Sequence, residues 1–317
     1  MTRNKNKFFR LAKWLVMLIA YAYLVYKLAN IAYWEELKQS FISVNPRQVF
    51  PLVLVFVLMP LNWAIEIKKW QTLTANVVKI PFKIAAKSVL AGLTTGFITP
   101  SRVGEFAGRV LYLPEKKRGA GTVLAFVSGI TQTVVITVCG LPAAFLYFKL
   151  YRPAGDYTSY FLIVTWALVL ILALFFLFPG IFGKIKNRSW TVRFQETLKS
   201  LSELKIKTLL YVLAISVVRY GLFCFQYYLL LCFFSIELTP VQALSGIPTM
   251  YLIITYTPTL AASEAAVRGS AAVLVLSVFS SNEIGILLTG ILIWIINFIL
   301  PMVAGTLWMV KDNKQAE

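Results

Sequence analysis

The chain contains no histidine at all. This excludes imidazole acid–base or nucleophilic catalysis and every His-containing metal site. Acidic residues are few: 13 Asp and Glu stand against 31 Lys and Arg, a formal net charge of +18 over 317 residues. The three cysteines, Cys139, Cys224 and Cys232, lie in apolar runs, and none forms a Cys-x-x-Cys pair. They read as packing residues, without redox or disulfide function. Charge is scarce overall, at 14% of residues, where a soluble domain carries roughly 25%.

What fills the chain instead is apolar. Hydrophobic residues make up 59% and the mean hydropathy is +0.75, too much for one oversized core. The composition predicts an all-α polytopic membrane protein. Five runs are long enough to cross a bilayer: Leu11–Trp34, Gly121–Phe148, Tyr160–Phe182, Leu209–Phe234 and Ile284–Val310. A sixth, Val49–Ile67, is interrupted by Pro51 and Pro60. The first run resembles a signal peptide as far as Ala20-Tyr21-Ala22, but its apolar character continues to Trp34, so an uncleaved first helix is expected. Most of the eight tryptophans fall near predicted span ends, as an aromatic belt requires.

Two further apolar stretches, Ile84–Leu113 and Val241–Phe279, are broken near their middles by Thr99-Pro100-Ser101 and Thr257-Pro258-Thr259. Proline is unfavourable inside a helix and favoured in its first turn. Each stretch therefore reads as two short helices meeting at Thr-Pro, a break tolerated at membrane depth only inside protein or beside a cavity. Both are expected to be re-entrant hairpins, giving about six spans plus two hairpins, or eight helices if each hairpin is counted as a transmembrane element. With the N-terminus inside, 24 of the 31 basic residues fall on cytoplasmic segments or the first hairpin, and only Lys38, Arg47, Lys149 and Arg152 fall outside. That asymmetry satisfies the positive-inside rule and places both termini in the cytoplasm. It also accounts for the net charge without a nucleic-acid partner.

The order span, span, broken hairpin, span occurs twice, over about residues 10–150 and 158–310, within one membrane domain covering 1–317. Three spans separate the halves, so the second is inverted. Thr99-Pro100 is followed by Glu105 and Arg109, and Thr257-Pro258 by Glu264 and Arg268. Lys79-Ile80-Pro81 and Leu238-Thr239-Pro240 keep the same offset. An inverted-topology repeat with broken helices is the architecture of alternating-access transporters.

The candidate binding residues are Arg102, Glu105, Arg109, Arg219, Glu264 and Arg268, with hydroxyls from Thr99, Ser101, Thr257 and Thr259 at the breaks marked by Pro100 and Pro258. Each Glu–Arg pair is spaced i, i+4 and so shares one helix face. A charge at the bilayer centre costs about 2.5–3.5 kcal/mol even on the most lenient scale. One reading has the arginines lining a wet cavity, where half-helix N-termini beginning at the prolines add positive dipole ends for a phosphate. The other has neutralised pairs that only pin the hairpins. Arg219 has no sequence-local acid, and Glu264, Glu105 or a ligand phosphate are its candidate partners. Glu66, beside Lys68 and Lys69, reads as an interfacial ion pair. Lys184–Lys207, with Trp190, Phe194, Leu198 and Leu201 interleaved, reads as an amphipathic surface helix or a topology-fixing loop.

At Pro100-Ser101-Arg102-Val103-Gly104-Glu105-Phe106-Ala107-Gly108-Arg109 the chain resembles the flippase-like membrane domain of lysyl-phosphatidylglycerol synthase/flippase proteins, which carry a P-x-x-x-G-E-x-x-x-R signature. The similarity spans roughly residues 10–310. In the family the second element is glycine-rich before its Glu; here Leu260-Ala261-Ala262 stands in that place. The resemblance implies a flippase or a relative of one in a plasma (inner) membrane. Bifunctional members carry a soluble aminoacyl-transferase domain after the membrane domain, and with the chain ending at Glu317 no synthase activity is expected.

The expected function is therefore translocation of an anionic or aminoacylated phospholipid, or a related glycolipid, with the lipid phosphate as ligand. Neither enzyme activity nor a cofactor or metal is expected. Secondary transport of a small anion, or a non-transporting scaffold for an envelope biosynthesis enzyme, are the alternatives, and a homodimer is a further expected assembly. An intramembrane hydrolase lacks a nucleophile–base pair.

Overall fold

A computed structural model describes residues 46–99, 102–152, 157–185, 204–259 and 263–314, and among these all regular structure is helical. The chain order is α1 (Pro46–Thr74), α2 (Phe82–Ile98), α3 (Gly104–Val110), a short 3-10 turn (Glu115–Lys117) and α4 (Arg118–Tyr151). There follow α5 (Tyr157–Ile185), α6 (Ile206–Phe233), α7 (Pro240–Tyr256), α8 (Glu264–Leu276), α9 (Glu283–Trp294), a π-helical turn (Ile295–Ile299) and α10 (Leu300–Lys314). The predicted first span, Leu11–Trp34, and most of the amphipathic segment after Lys184 lie outside the described residues.

Four stretches are long and apolar enough to cross a membrane: Val49–Thr74, Glu115–Tyr151, Ile206–Phe233 and Glu283–Met309. They coincide with four of the predicted spans. The fifth, Tyr160–Phe182, lies in α5, whose Tyr160, Phe161, Ile163, Trp166, Leu170 and Leu177 are all exposed. Such a surface is stable only against hydrocarbon. The protein is a multi-pass helical membrane protein.

The two broken stretches are each split into two helices, of 17 and 7 residues in the first and 17 and 13 in the second. None reaches the roughly 20 residues needed to cross a bilayer. Pro81 precedes the first turn of α2. In the second stretch Thr239 and Gln242 form a capping box with Pro240 at the first helical position, which satisfies two otherwise orphaned N–H groups.

Apolar helices gain little from the hydrophobic effect inside a bilayer and associate through close packing and hydrogen bonds. The α2–α3 contact illustrates this. A Cβ on Gly108 would lie 2.6 Å from the Ala91 carbonyl oxygen and 2.8 Å from Gly92 Cα, and one on Gly92 would lie 2.9 Å from the Glu105 carbonyl oxygen. Only glycine allows the two backbones to meet. Thr95 Oγ1 donates across the same contact to the Gly104 carbonyl at 2.8 Å, and the Ser88 hydroxyl donates to the Arg109 carbonyl.

Between elements the packing is reciprocal. Helices α1 and α6 pack along each other, α2 packs on α10, and α7 packs on α4. The irregularity in the last span has a covalent cause. Pro301 has no N–H to offer the Asn297 carbonyl four residues earlier, and a π turn occupies Ile295–Ile299. The freed carbonyl accepts a hydrogen bond from Trp63 Nε1 of α1 at 3.1 Å. This turn places Asn297 and Phe298 towards the centre of the molecule.

Candidate functional site

The two broken stretches meet at a cavity of about 490 Å3, lined from α1, α2, α3, α4, α6, α7, α8 and the π turn. Five cationic side chains line it, Lys69, Arg102, Arg109, Arg219 and Arg268, against three carboxylates, Glu66, Glu105 and Glu264. No cluster of three or more His, Cys, Asp or Glu able to hold a metal ion occurs among the described residues.

On the first-half side Arg109 is the shared member. Its Nη2 pairs with Glu105 Oε1 at 2.6 Å and with Glu66 Oε1 at 2.7 Å. Glu66 Oε2 also forms ion pairs with Lys69 at 2.8 Å and with Arg219 at 2.9 Å. Its side chain is 2% exposed. A carboxylate removed this far from water is stable only because three cations converge on it. Arg219 Nε further donates to Asn62 Oδ1 at 3.0 Å. From there a buried amide chain runs through Gln226 to Asn297, with Asn62 Nδ2 and Asn297 Nδ2 donating to the same Gln226 oxygen at 3.4 and 3.3 Å. The guanidinium carbons of Arg219 and Arg109 lie 5.5 and 5.7 Å from the ring centres of Trp63 and Trp70, within cation–π range.

On the second-half side Glu264 is shared. It accepts from Arg268 at 2.9 Å within α8, and from Arg102 at 2.8 Å across the junction of the two broken stretches. Phe298 from the π turn supports both cations, with its ring centre 4.2 Å from the Arg102 guanidinium carbon and 4.9 Å from that of Arg268. Arg102 has φ 57°, the left-handed region, which costs an L-residue about 1–2 kcal/mol. Backbone strain of this kind persists only where surrounding contacts over-determine it, as the Glu264 and Phe298 contacts do here.

The structure thus gathers Arg102, Glu105, Arg109, Arg219, Glu264 and Arg268 in one place, and both i, i+4 pairs form. Several expectations are corrected. The partner of Arg219 is Glu66, and neither Glu264 nor Glu105. Glu66 is a buried hub, because α1 continues to Thr74 with Trp70 and Leu73 fully buried, so the residue lies well inside the helix. Lys69 accordingly belongs to the cavity and not to a cytoplasmic loop. Trp63 and Trp70 are core residues rather than belt residues.

The half-helices do not begin at the prolines. They begin at Gly104 and Glu264, and their own Glu105 and Glu264 occupy the first turns, so the positive dipole ends face protein carboxylates. The hydroxyls at the breaks are partly spent as well. Thr99 Oγ1 donates within α2 and accepts from Gly104 N at 2.7 Å, and Thr257 Oγ1 donates to the Ile253 carbonyl at 2.7 Å. Pro258 and Thr259 line the cavity; Pro100 and Ser101 lie outside the described residues. Glu66, Lys69, Asn62 and Phe298 went unselected in the sequence, although Asn62, Glu66 and Lys69 recur at i, i+4, i+7 on one face of α1.

Apolar spans enclosing a polar, cation-rich cavity where two broken helices meet define the class: a multi-pass membrane protein with an internal site for a charged group. Within that class, the chain belongs to the family described as the lysylphosphatidylglycerol synthase TM region, which it matches over residues 12–305. No curated protein matches the chain.

Proposed function

We propose that the protein is a lipid flippase that carries the phosphate-bearing head group of an anionic or aminoacylated phospholipid, or of a related glycolipid, across the plasma membrane through this cavity. The observation that carries the reading is the charge excess: five cations face three carboxylates in one cavity at the meeting of the two broken stretches. Two unbalanced cations among membrane-spanning helices are costly, and an anionic ligand offsets that cost. The lipid tails remain in the bilayer, where they are already stable, so only the head group needs the site.

The reading includes an inverted repeat, with the broken stretches re-entrant and both termini cytoplasmic. The reciprocal packing of α2 on α10 and α7 on α4, about the self-paired α1–α6 contact, supports it, as does the shortness of the hairpin helices. Membrane lipids are the partners in this reading, and no catalytic step or cofactor is involved. The scaffold alternative draws on one observation: every carboxylate of the site is already ion-paired within the protein.

Translocation of labelled anionic, aminoacylated and zwitterionic lipids in proteoliposomes tests the proposal. Head-group-selective movement is expected, and Arg268→Gln should lower it at least tenfold while the purified protein keeps its helical content and monodispersity. No movement of any lipid by folded protein would overturn the flippase reading and favour small-anion transport or a scaffold.

A further inference from the structure

The disposition of charge inside the cavity narrows the head group, an inference that rests on the lipid-phosphate reading above. Every one of the three carboxylates is already engaged by a cation: Glu66 by Lys69, Arg109 and Arg219, Glu105 by Arg109, and Glu264 by Arg102 and Arg268. A head group bearing an ammonium would enter a space with two surplus cations, and the carboxylate most open to it, Glu105, is 26% exposed and already held by Arg109 through Oε1. Desolvated like charges repel strongly at close range.

The polar atoms left without a partner point the same way. Arg109 Nη1, Gln132 Oε1 and the Tyr220 and Tyr251 hydroxyls are buried and make no hydrogen bond, and all four residues line the cavity; Glu66 Oε2 makes none either but is ion-paired at 2.8 and 2.9 Å with Lys69 and Arg219. Arg109 and Tyr251 are 5% and 7% exposed, so bulk water does not serve them freely. Buried polar groups are normally paired, and an orphan calls for an explanation. Arg109 Nη1 is a charged donor suited to a phosphate oxygen. The Gln132 oxygen accepts only, and a tyrosine hydroxyl both donates and accepts; uncharged hydroxyl groups satisfy both without adding charge. Gln132 and Tyr251 lie on α4 and α7, which pack against each other, so they form one wall of the cavity.

We propose that the cavity takes a phosphodiester head group carrying uncharged hydroxyls, a glycerol or a sugar, and disfavours the same lipid once its head group bears a cationic aminoacyl ester. Phosphate oxygens meet the arginines, and the polyol meets Gln132 and Tyr251.

Equilibrium binding to the purified full chain in detergent tests this, with short-chain phosphatidylglycerol, its lysyl ester and a short-chain glycosyl phosphate lipid as probes. The two uncharged-polyol phosphodiesters should bind at least tenfold more tightly than the lysyl ester. Gln132→Glu, which adds a carboxylate to the wall, should shrink that ratio at least fivefold; should the variant not fold, the wild-type ratio decides alone. Lysyl ester binding as tight as or tighter than the parent lipid would overturn the proposal and leave the phosphate reading standing. No binding of any phosphate lipid would overturn both. Glycerol 3-phosphate should compete at least tenfold more weakly than the lipid; equal competition would overturn a lipid source and reassign the site to a small anion.

Discussion

The same five-residue motif, Glu-x-x-x-Arg, occurs in both halves of the molecule and is used in opposite ways. In the first half the arginine is shared: Arg109 holds Glu105 and Glu66 together, and Glu66 draws in Lys69 and Arg219. In the second half the carboxylate is shared: Glu264 holds Arg268 and reaches across to Arg102. Around Glu66 the first arrangement is sealed, with Glu66 2% and its three cations 1–10% exposed, and only Glu105 at its edge reaches 26%; in the second the shared Glu264 is 7% exposed and one of its two cations, Arg102, is 28% exposed. A local i, i+4 rule makes each pair available, and the surrounding helices decide what the pair is for. The sealed hub reads as a structural anchor that still turns Arg109 Nη1 to the cavity, and the looser group as the part whose cations can rearrange on a ligand.

The largest effect should come from removing the centre of the sealed hub. Glu66→Gln leaves three cations without their shared anion, and breaking a buried pair costs about 3–5 kcal/mol. Thermal unfolding in detergent should show that loss. Glu264→Gln should cost about 1–3 kcal/mol, because Arg102 stays partly solvated and stacked on Phe298. Equal losses for the two would dissolve the distinction between anchor and ligand site.

Glycine packing sharpens the comparison at a smaller scale. Gly108→Ala forces a methyl group into backbone atoms of α2, and such overpacking costs about 1–3 kcal/mol. In the second half a Cβ on Gly269 would meet Leu287 Cγ at 3.3 Å, and the helix preference for Ala over Gly, about 1 kcal/mol, offsets that pressure. Gly269→Ala should therefore change stability by less than about 1 kcal/mol in the same melting experiment. A severe loss there would mean that the α8–α9 contact is as tight as the α2–α3 contact.

The smallest effect concerns the residue that joins the halves. Arg102→Gln and Arg102→Gly both remove the Glu264 bridge, but only glycine is relaxed at φ 57°. The Gly variant should be more stable than the Gln variant by about 1 kcal/mol, while both should lose head-group binding equally. If the Gln variant retained binding, the bridge would not contribute to the site.

Much of this architecture was legible in the residues. Hydrophobic runs of bridging length need no tertiary information, since a bilayer imposes the same length on any helix that crosses it. Thr-Pro breaks and i, i+4 charge pairs are equally local, and the breaks and pairs named from them are present. The Glu66 hub was not legible. Two lysines directly after it resemble an interfacial end, and nothing near Glu66 in sequence announces that α1 stays buried for two more turns. The π turn was hidden in a different way: Pro301 predicts a missing hydrogen bond but not that Trp63 of another helix supplies the replacement.

By itself, then, the sequence determined the membrane class, the location of four spans, the positions of both breaks and the pairing of Glu105 with Arg109 and of Glu264 with Arg268. These follow from composition, period and short-range spacing. Only the tertiary structure decided which charges share a partner. Glu66 and Arg219 are 153 residues apart in the chain, and Arg102 and Glu264 are separated by 162. No periodicity encodes contacts at such separations. They are set by the packing of α1 on α6 and of one broken stretch against the other, where a buried charge must find its opposite.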